Sequence, residues 1–224
     1  MKRVMKTNAA EKDMTVINGF AKRELSADEV YTFEVMAADT QIDRDGEYFT
    51  PQTLADLAKL YIGKTMIADH NPKADNQTAR IYHAYTRQDG DITRLMVQAY
   101  MLKSGNEALI DKIEAGIIRE VSIGCAIRQK TCSVCGKAFD RCRHEKGKIY
   151  DGVTCAVALD GAVDAYEISF VAVPAQREAG VVKCKKSFSD EADEANQQQE
   201  QVALQLRLAA AQINLKEFDN YGNE

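Results

Sequence analysis

The sequence predicts an α+β protein in which a mostly antiparallel β-sheet or barrel is combined with a few helices. Three observations favour this class. The β-prone runs outnumber the helical segments, the helical segments are short and fall between those runs, and neither a G-x-G-x-x-G nor a Walker-type phosphate loop occurs among the 224 residues. A doubly wound nucleotide-binding fold is therefore not indicated.

The composition narrows the classes of function. With 45% hydrophobic and 28% charged residues, the chain can bury the core of one domain with appendages. The net charge of −5 argues against nucleic acid or an anionic membrane as a partner, because both require a basic surface. No apolar run approaches the roughly 20 residues of a membrane span, and the basic start MKRVMK leads into polar residues instead of a secretory signal. We therefore expect a cytoplasmic protein.

The first elements are two β-prone runs and a short helix. MTVINGF (14–20) and EVYTFEVMA (29–37) are predicted strands separated by a polar segment. Thr50 suits an N-cap, Pro51 suits the first helical position, and the apolar residues that follow recur at helical spacing, so a helix is predicted over 51–61.

The middle of the chain predicts a strand, a hairpin and a second helix. The strand TMIAD leads into His70 and a polar loop. Residues 80–102 predict a β-hairpin, because two β-prone runs are joined by the turn sequence QDGD. Ser104 and Glu107 form an S-x-x-E capping box, which predicts that a helix begins there.

Two further β-prone runs follow. IIREVSIGCAIRQ (117–129) alternates imperfectly between apolar and polar residues, which predicts a largely buried strand. AYEISFVAVPA (165–175) predicts another strand, which Pro174 ends. Ser122 lies between the β-forming residues Val121 and Ile123 in the first run, and Glu167 is an acidic residue in the middle of the second.

Three regions are predicted along the chain. A flexible N-terminus (1–13) precedes a folded domain (14–186) that contains a cysteine-rich insert (131–155), and an acidic tail (187–224) follows. The tail has eight acidic and two basic side chains, with apolar residues at near-helical spacing, so a solvated helix is expected in it. A docking helix and a simple solvated extension are both compatible with this pattern.

The insert carries the ligand types that zinc prefers. Cys132 and Cys135 are separated by two residues, as in a zinc knuckle, and Cys142, His144 and Cys155 are further candidates. We favour the set Cys132, Cys135, Cys142 and His144, because it closes the smallest loop, with Cys155 as the substitute for Cys142 or His144. Four protein ligands fill a tetrahedral centre, so the sequence predicts a structural Zn²⁺ ion rather than a catalytic one.

Candidate catalytic residues are few. His83 lies within a predicted strand and fits a packing role. His70 lies where a strand gives way to a polar loop, so it can be either a general base or an ordinary loop residue. Glu167 either faces solvent or pairs with a histidine, because an unpaired carboxylate is costly to bury. Ser122 is either a nucleophile or an ordinary strand serine.

The chain order of these motifs resembles the prohead (capsid maturation) serine proteases of tailed bacteriophages, which are related to the herpesvirus assembly proteases. The resemblance rests on I-A-D-H-N, R-E-V-S-I-G and Y-E-I-S-F-V-A-V-P-A and covers roughly residues 14–185. The cysteine-rich insert is also similar to one found in a subset of these phage proteins.

The resemblance implies a herpesvirus-protease-like fold and a serine endopeptidase. Ser122 would be the nucleophile, His70 the general base and Glu167 the carboxylate that orients it, with residues 14–186 as the protease domain. The implied substrates are the major capsid protein, the scaffold and the protease itself, inside an immature phage capsid in the host bacterial cytoplasm. Self-association is compatible with this biology, and neither nucleic acid nor membrane is an expected partner.

A non-catalytic reading stays open beside the enzymatic one. On the same fold, a zinc-stabilised capsid-assembly or scaffold protein would retain His70 and Ser122 only as packing residues. A third reading, a zinc hydrolase, needs an open coordination position at the metal.

Overall fold

An eight-stranded sheet organises the computed structural model, which describes residues 11–184. The helices are α1 (Glu11–Phe20), α2 (Pro51–Tyr61) and α3 (Glu107–Glu114). The strands are β1 (Val30–Asp39), β2 (Glu47–Phe49), β3 (Thr65–Ala68), β4 (Ala79–Asp89), β5 (Ile92–Leu102), β6 (Val121–Cys132), β7 (Ile149–Tyr150), β8 (Val153–Thr154), β9 (Val157–Phe170) and β10 (Gly180–Cys184). Short 3₁₀ turns lie at Ala74–Asn76 and Phe139–Arg141.

The strand order confirms an α+β fold that is mostly sheet. The order is β10-β1-β5-β4-β3-β9-β2, β6 pairs with β9, and β7 and β8 form a separate two-stranded sheet. The pairs are antiparallel except for β2 with β9 and β3 with β9, which are parallel. The strands of the described part of the chain do not close into a barrel, and only an isolated bridge between Glu120 and Gly180 connects the start of β6 with β10.

The core is built around β1 and α2. Every residue of β1 is buried, and α2 contributes Leu54, Leu57 and Tyr61, all fully buried on the helix face that meets the sheet. These positions follow the spacing of three and four residues that aligns side chains on one helical face. Truncating a side chain such as Leu57 to alanine is expected to cost about 2–5 kcal/mol of unfolding free energy, because it leaves a cavity.

Several predicted elements are confirmed with their local signals. The helix α2 has the predicted bounds, and the Thr50 hydroxyl accepts the Thr53 backbone N–H at 3.2 Å as its N-cap. The hairpin predicted over 80–102 is β4 and β5, with Gly90 in the turn at a φ of 59°. The strand before His70 is β3.

Residues 14–20 were expected to form a strand, and this expectation was wrong. They belong to α1, whose Met14 and Ile17 are buried in a second apolar cluster with Tyr82 and Tyr100. The spacing of three residues between Met14 and Ile17 places both on the helix face that this cluster covers. Tertiary burial has overridden the β preference of the β-branched residues between them.

The other local errors concern element ends. Helix α3 begins at Glu107 with Asn106 as N-cap, so the predicted Ser104 capping box does not form. Strand β6 begins at Val121 and is mostly half-buried or exposed instead of largely buried. Strand β9 ends at Phe170, before Pro174.

The predicted acidic tail and its helix lie outside the described residues, as does most of the predicted flexible N-terminus, whose residues 11–13 belong to α1. Across residues 11–184, no helix combines the length and the apolar character that a membrane crossing requires.

Candidate functional site

The candidate active site is organised by β9, which lies between β3 and β6 in the sheet. Glu167 and Ser169 are two residues apart on this strand and therefore face the same side of the sheet. Ile168 and Phe170 face the opposite side and are buried in the main core. The side chain of Glu167 is only 11% exposed, so its carboxylate needs partners.

Glu167 has two such partners. Its Oε1 lies 2.8 Å from Nδ1 of His70, and its Oε2 accepts a hydrogen bond from the Ser169 hydroxyl. The Ser169 hydroxyl oxygen in turn accepts the backbone N–H of His70 at 3.0 Å. These bonds fix the imidazole ring and the carboxylate relative to each other, while 44% of the His70 side chain remains exposed.

The backbone that carries His70 is strained. Asp69 and His70 have φ values of 53° and 51°, in the left-handed region that non-glycine residues rarely adopt. The Asp69 N–H donates to the Phe170 carbonyl at 2.9 Å, and the Asn71 N–H donates to the Ala68 carbonyl at 3.1 Å. Such strain persists where surrounding bonds hold it, and it clusters at functional sites.

Ser122 lies on β6, one strand away from Glu167. It pairs with Ser169 across the antiparallel ladder, and Gly124 pairs with Glu167. Residues directly opposite each other in an antiparallel pair present their side chains on the same face. Ser122 is therefore on the sheet face that carries Glu167 and Ser169, and it is half-buried.

Gly124 has a role that the sequence did not reveal. A Cβ atom at this position would collide with Oε1 of Glu167, so any other residue would require the carboxylate to move. The Gly124 carbonyl accepts a hydrogen bond at 3.0 Å from the hydroxyl of Tyr61 at the end of α2. This bond ties the helix to the strand that carries Ser122.

The three predicted catalytic residues thus lie close in the fold. His70 and Glu167 are in direct contact, and Ser122 is on the neighbouring strand on the same face. No hydrogen bond joins Ser122 to His70 in the described structure, and catalytic hydrogen bonds commonly tighten only when substrate binds. Because Nδ1 of His70 is engaged by the carboxylate, Nε2 is the ring nitrogen left for proton transfer.

His83 and Cys125, a histidine of the sheet and a thiol near Ser122 in sequence, fit a catalytic role less well. His83 is exposed on β4 and stacks on Tyr85 with a ring-centroid distance of 5.5 Å. Cys125 packs against the main core, and burial raises the pKa of its thiol to about 11, so the thiol is neutral. Neither residue competes with Ser122 and His70.

Arg119 and Arg128, the arginines that flank Ser122 along the chain, are poorly suited to stabilise an oxyanion. Nε of Arg119 is bonded to the Glu120 carboxylate at 2.8 Å. Arg128 is six residues from Ser122 along β6, a distance of about 20 Å in an extended strand. Backbone N–H groups are the better candidates for this role.

The candidate metal centre lies in the insert between β6 and β9. Cys132, Cys135, Cys142 and His144 bring one ligand atom each to within 4.8 Å of one another. Cys132 ends β6, and the turn that follows carries Cys135 and closes at Gly136, which has a φ of 68° and donates its N–H to the Cys132 carbonyl at 2.9 Å. This cluster can hold a metal ion, and the cysteines described in it form no disulfides.

The distances inside the cluster suit tetrahedral coordination. Sγ of Cys135 and Sγ of Cys142 are 3.6 Å apart, and Nδ1 of His144 is 3.6 Å from Sγ of Cys132 and 3.3 Å from Sγ of Cys142. A tetrahedron with metal–sulfur bonds of about 2.3 Å has sulfur–sulfur edges of about 3.8 Å. Four protein ligands at these distances leave no open coordination position.

The thiols influence each other electrostatically. Burial works against the Cys132 thiolate, but the backbone N–H groups of Cys135 and Val134 lower its pKa to about 6. Burial and the neighbouring sulfurs of Cys132 and Cys135 raise the pKa of Cys142 to about 11. Ionisation of one thiol therefore disfavours ionisation of its neighbours, and a bound cation would reverse this effect.

Cys155 is a fifth sulfur beside the cluster. It is fully buried, and its Sγ lies 3.8 Å from Sγ of Cys132. The ring of His144 contacts Tyr150 of β7 edge to face, with centroids 4.4 Å apart. The hairpin of β7 and β8 thus supports the histidine and brings Cys155 to the cluster.

Comparison of the chain with protein-family models, with curated proteins and with solved structures found no match.

Proposed function

We propose that the protein is a serine endopeptidase in which Ser122, His70 and Glu167 form the catalytic triad. The observation that carries the proposal is the 2.8 Å contact between Nδ1 of His70 and Oε1 of Glu167, with Ser122 on the same sheet face one strand away. A buried carboxylate bound to Nδ1 is the arrangement that holds a histidine ready to accept a proton at Nε2.

The mechanism proposed is acyl transfer. The Ser122 hydroxyl oxygen attacks the scissile carbonyl carbon while its proton passes to Nε2 of His70, and Glu167 stabilises the resulting imidazolium. The imidazolium then gives the proton to the leaving amine as the peptide C–N bond breaks. Water, deprotonated by the same imidazole, hydrolyses the acyl-enzyme and regenerates Ser122.

The biological role is proposed from the resemblance to phage prohead proteases. In that role the enzyme has a herpesvirus-protease-like fold, cuts capsid and scaffold proteins, and also cuts itself. It acts inside the immature capsid in the host cytoplasm, where confinement gives a slow enzyme a high effective substrate concentration.

The metal centre is proposed to bind Zn²⁺ in a structural role. Three thiolates and one imidazole are a donor set that zinc prefers, and the complete set leaves no position for a reacting water. The residues between Cys135 and Ile149 form no long strand or helix, so a metal ion would supply the stability that a hydrophobic core supplies elsewhere.

The test of the enzymatic role is the full chain co-expressed with its coat and scaffold proteins, with products identified by mass spectrometry. Ser122→Ala should abolish cleavage of the partners and of the chain itself without unfolding the protein. Ser104→Ala, which changes an exposed turn serine, is the matched control and should leave cleavage intact. Equal cleavage in the two variants would contradict the proposed triad and favour the non-catalytic assembly role.

A further inference from the structure

A cavity of about 260 Å³ has Ser122 at its edge and lies on the core-facing side of β6, where Ile123, Cys125 and Ile127 line it. Its walls come from β1, β2, β6 and β9, from the segment between β1 and β2 that contains Asp43 and Asp45, and from the segment that contains Ala175 and Gln176. The volume lies below the range of about 300–1,000 Å³ that is typical of pockets for drug-sized ligands. The cavity therefore has the size for one side chain of a bound peptide.

The cavity combines apolar walls with an acidic rim. Three carboxylates line it, from Asp43, Asp45 and Glu47, against a single lining cation, Lys130. Nζ of Lys130 lies 2.9 Å from Oε1 of Glu47, and Nζ of Lys146 lies 3.1 Å from the same oxygen. Burial disfavours the Glu47 carboxylate, but the two lysines hold its pKa below the usual value. Glu47 is therefore already neutralised within the protein.

The other two carboxylates are not neutralised. Neither Asp43 nor Asp45 forms an ion pair with a residue that the structure describes. Oδ1 of Asp43 accepts the backbone N–H groups of Asp45 and Glu47, each at 2.9 Å. Burial nevertheless raises the pKa of Asp43, because it removes water from the carboxylate. A cation entering the cavity would offset this penalty.

Gln176 provides an independent sign that the cavity takes a ligand. This residue lines the cavity, is only 6% exposed, and its side-chain nitrogen has no hydrogen-bond partner. A buried amide without a partner is unfavourable, and a bound group would supply one. Rotation of the amide by half a turn exchanges its oxygen and nitrogen without changing its shape, so it can accept hydrogen bonds from a cationic group.

We propose that this cavity is the substrate subsite for a lysine or arginine side chain next to the scissile bond. The aliphatic stem would pack on Phe49 and Ile127, and the charged end would meet Asp43 and Asp45. The inference rests on the proposed protease activity, because the cavity owes its relevance to the candidate nucleophile at its edge. The inference adds the class of substrate to the proposed activity, namely peptides with lysine or arginine beside the scissile bond.

The first experiment measures specificity. The full chain is incubated with a library of synthetic peptides that presents each amino acid at each position, and cleavage sites are identified by mass spectrometry. Cleavage that depends on Ser122 should concentrate at sites with lysine or arginine at one fixed position beside the cut. Cleavage that depends on Ser122 but shows no preference for lysine or arginine would overturn the proposed subsite, and the proposed protease activity would stand.

The second experiment removes the charges. Asp43→Asn keeps the acceptor oxygen for the backbone N–H groups, and Asp45→Asn changes an exposed side chain, so both variants should fold. Each should lower kcat/KM about tenfold for the preferred peptide, and hardly at all for the same peptide with norleucine in place of the basic residue. Asp91→Asn, in the exposed turn of the hairpin, is the charge-matched control and should lower neither value.

The third experiment detects binding without cleavage. Nuclear magnetic resonance titration with Nα-acetyl-lysine amide should shift signals of Phe49, Ile127 and Gln176, and Nα-acetyl-norleucine amide should not. Equal shifts with both probes, or none with either, would overturn the subsite. If the chain binds the lysine amide selectively but shows no cleavage that depends on Ser122, the proposed protease activity is refuted. The cavity would then be a cation-binding pocket with a function other than proteolysis.

Discussion

Gly124 and Glu167 face each other across β6 and β9, and the glycine leaves the space that the carboxylate occupies. A methyl group at position 124 would meet Oε1 of Glu167, the oxygen that contacts His70. One glycine therefore controls the position of the carboxylate and, through it, the imidazole.

The substitution Gly124→Ala is expected to separate Glu167 from His70. The free energy of unfolding should fall by about 1–3 kcal/mol, because the added methyl group forces the Glu167 side chain to shift. The rate of self-processing should fall by much more than this loss of stability would cause. Thermal unfolding and timed mass spectrometry of the products measure the two effects. Gly19→Ala is the control, because no atom lies near its added methyl group and alanine favours the helix by about 1 kcal/mol. A Gly124→Ala chain that processes itself at the normal rate would contradict this role.

Glu167→Gln is expected to keep the shape of the site and remove its charge. The glutamine would no longer stabilise the imidazolium, and it would favour the wrong tautomer of His70. The turnover rate should fall by a factor of about 10²–10⁴ with little change in KM. The measurement is steady-state kinetics on the peptide that the library selects. A proportionate rise in KM with unchanged kcat would show that Glu167 binds substrate instead.

The metal centre gives a prediction that separates the favoured ligand set from the set in which Cys155 replaces Cys142. Elemental analysis of the purified full chain should find about one zinc ion per chain, as a single four-ligand site requires. Cys142→Ser should lower this stoichiometry and the melting temperature, whereas Cys155→Ser should keep the metal. The reverse pattern would make Cys155 the fourth ligand and Cys142 its neighbour.

The Cys125 thiol is expected to resist alkylation. Its pKa of about 11 means that roughly one thiol in ten thousand is ionised at about pH 7, and only the thiolate reacts. Treatment of the metal-loaded chain with iodoacetamide, followed by peptide mass spectrometry, should leave Cys125 unmodified. The same treatment after unfolding is the control and should modify it. Rapid labelling of Cys125 in the folded chain would reopen the question of which residue is the nucleophile.

Elements with strong local signals could be predicted from the sequence. Helix α2 has a capping threonine, a proline at its first position and a regular apolar face, and all three signals lie within the helix or next to it in sequence. The turn of the β4–β5 hairpin is similarly local. Helix α1 could not be predicted, because its stability depends on Ile17 meeting Tyr82 and Tyr100, which are distant in sequence.

The site could be predicted only in part for the same reason. Residue types and neighbours made His70, Ser122 and Glu167 candidates, and only the resemblance to the phage proteases implied a role for each. The spacing of two between Glu167 and Ser169 was a visible but unused signal of a shared strand face. The role of Gly124 depends on the cross-strand register, and the acidic cavity depends on how Asp43 and Gln176 come together. Neither relationship leaves a pattern along the chain.

The two halves of the imidazole–carboxylate pair belong to parts of the fold with different mechanical support. Glu167 is on a strand that is hydrogen-bonded to neighbouring strands on both sides. His70 is on an exposed turn whose unfavourable backbone angles favour local opening of the turn. Local opening of that turn needs far less free energy than loss of the sheet. On heating, the turn should therefore lose its order, and activity should disappear, at a temperature where amide protons of β9 still resist exchange with solvent.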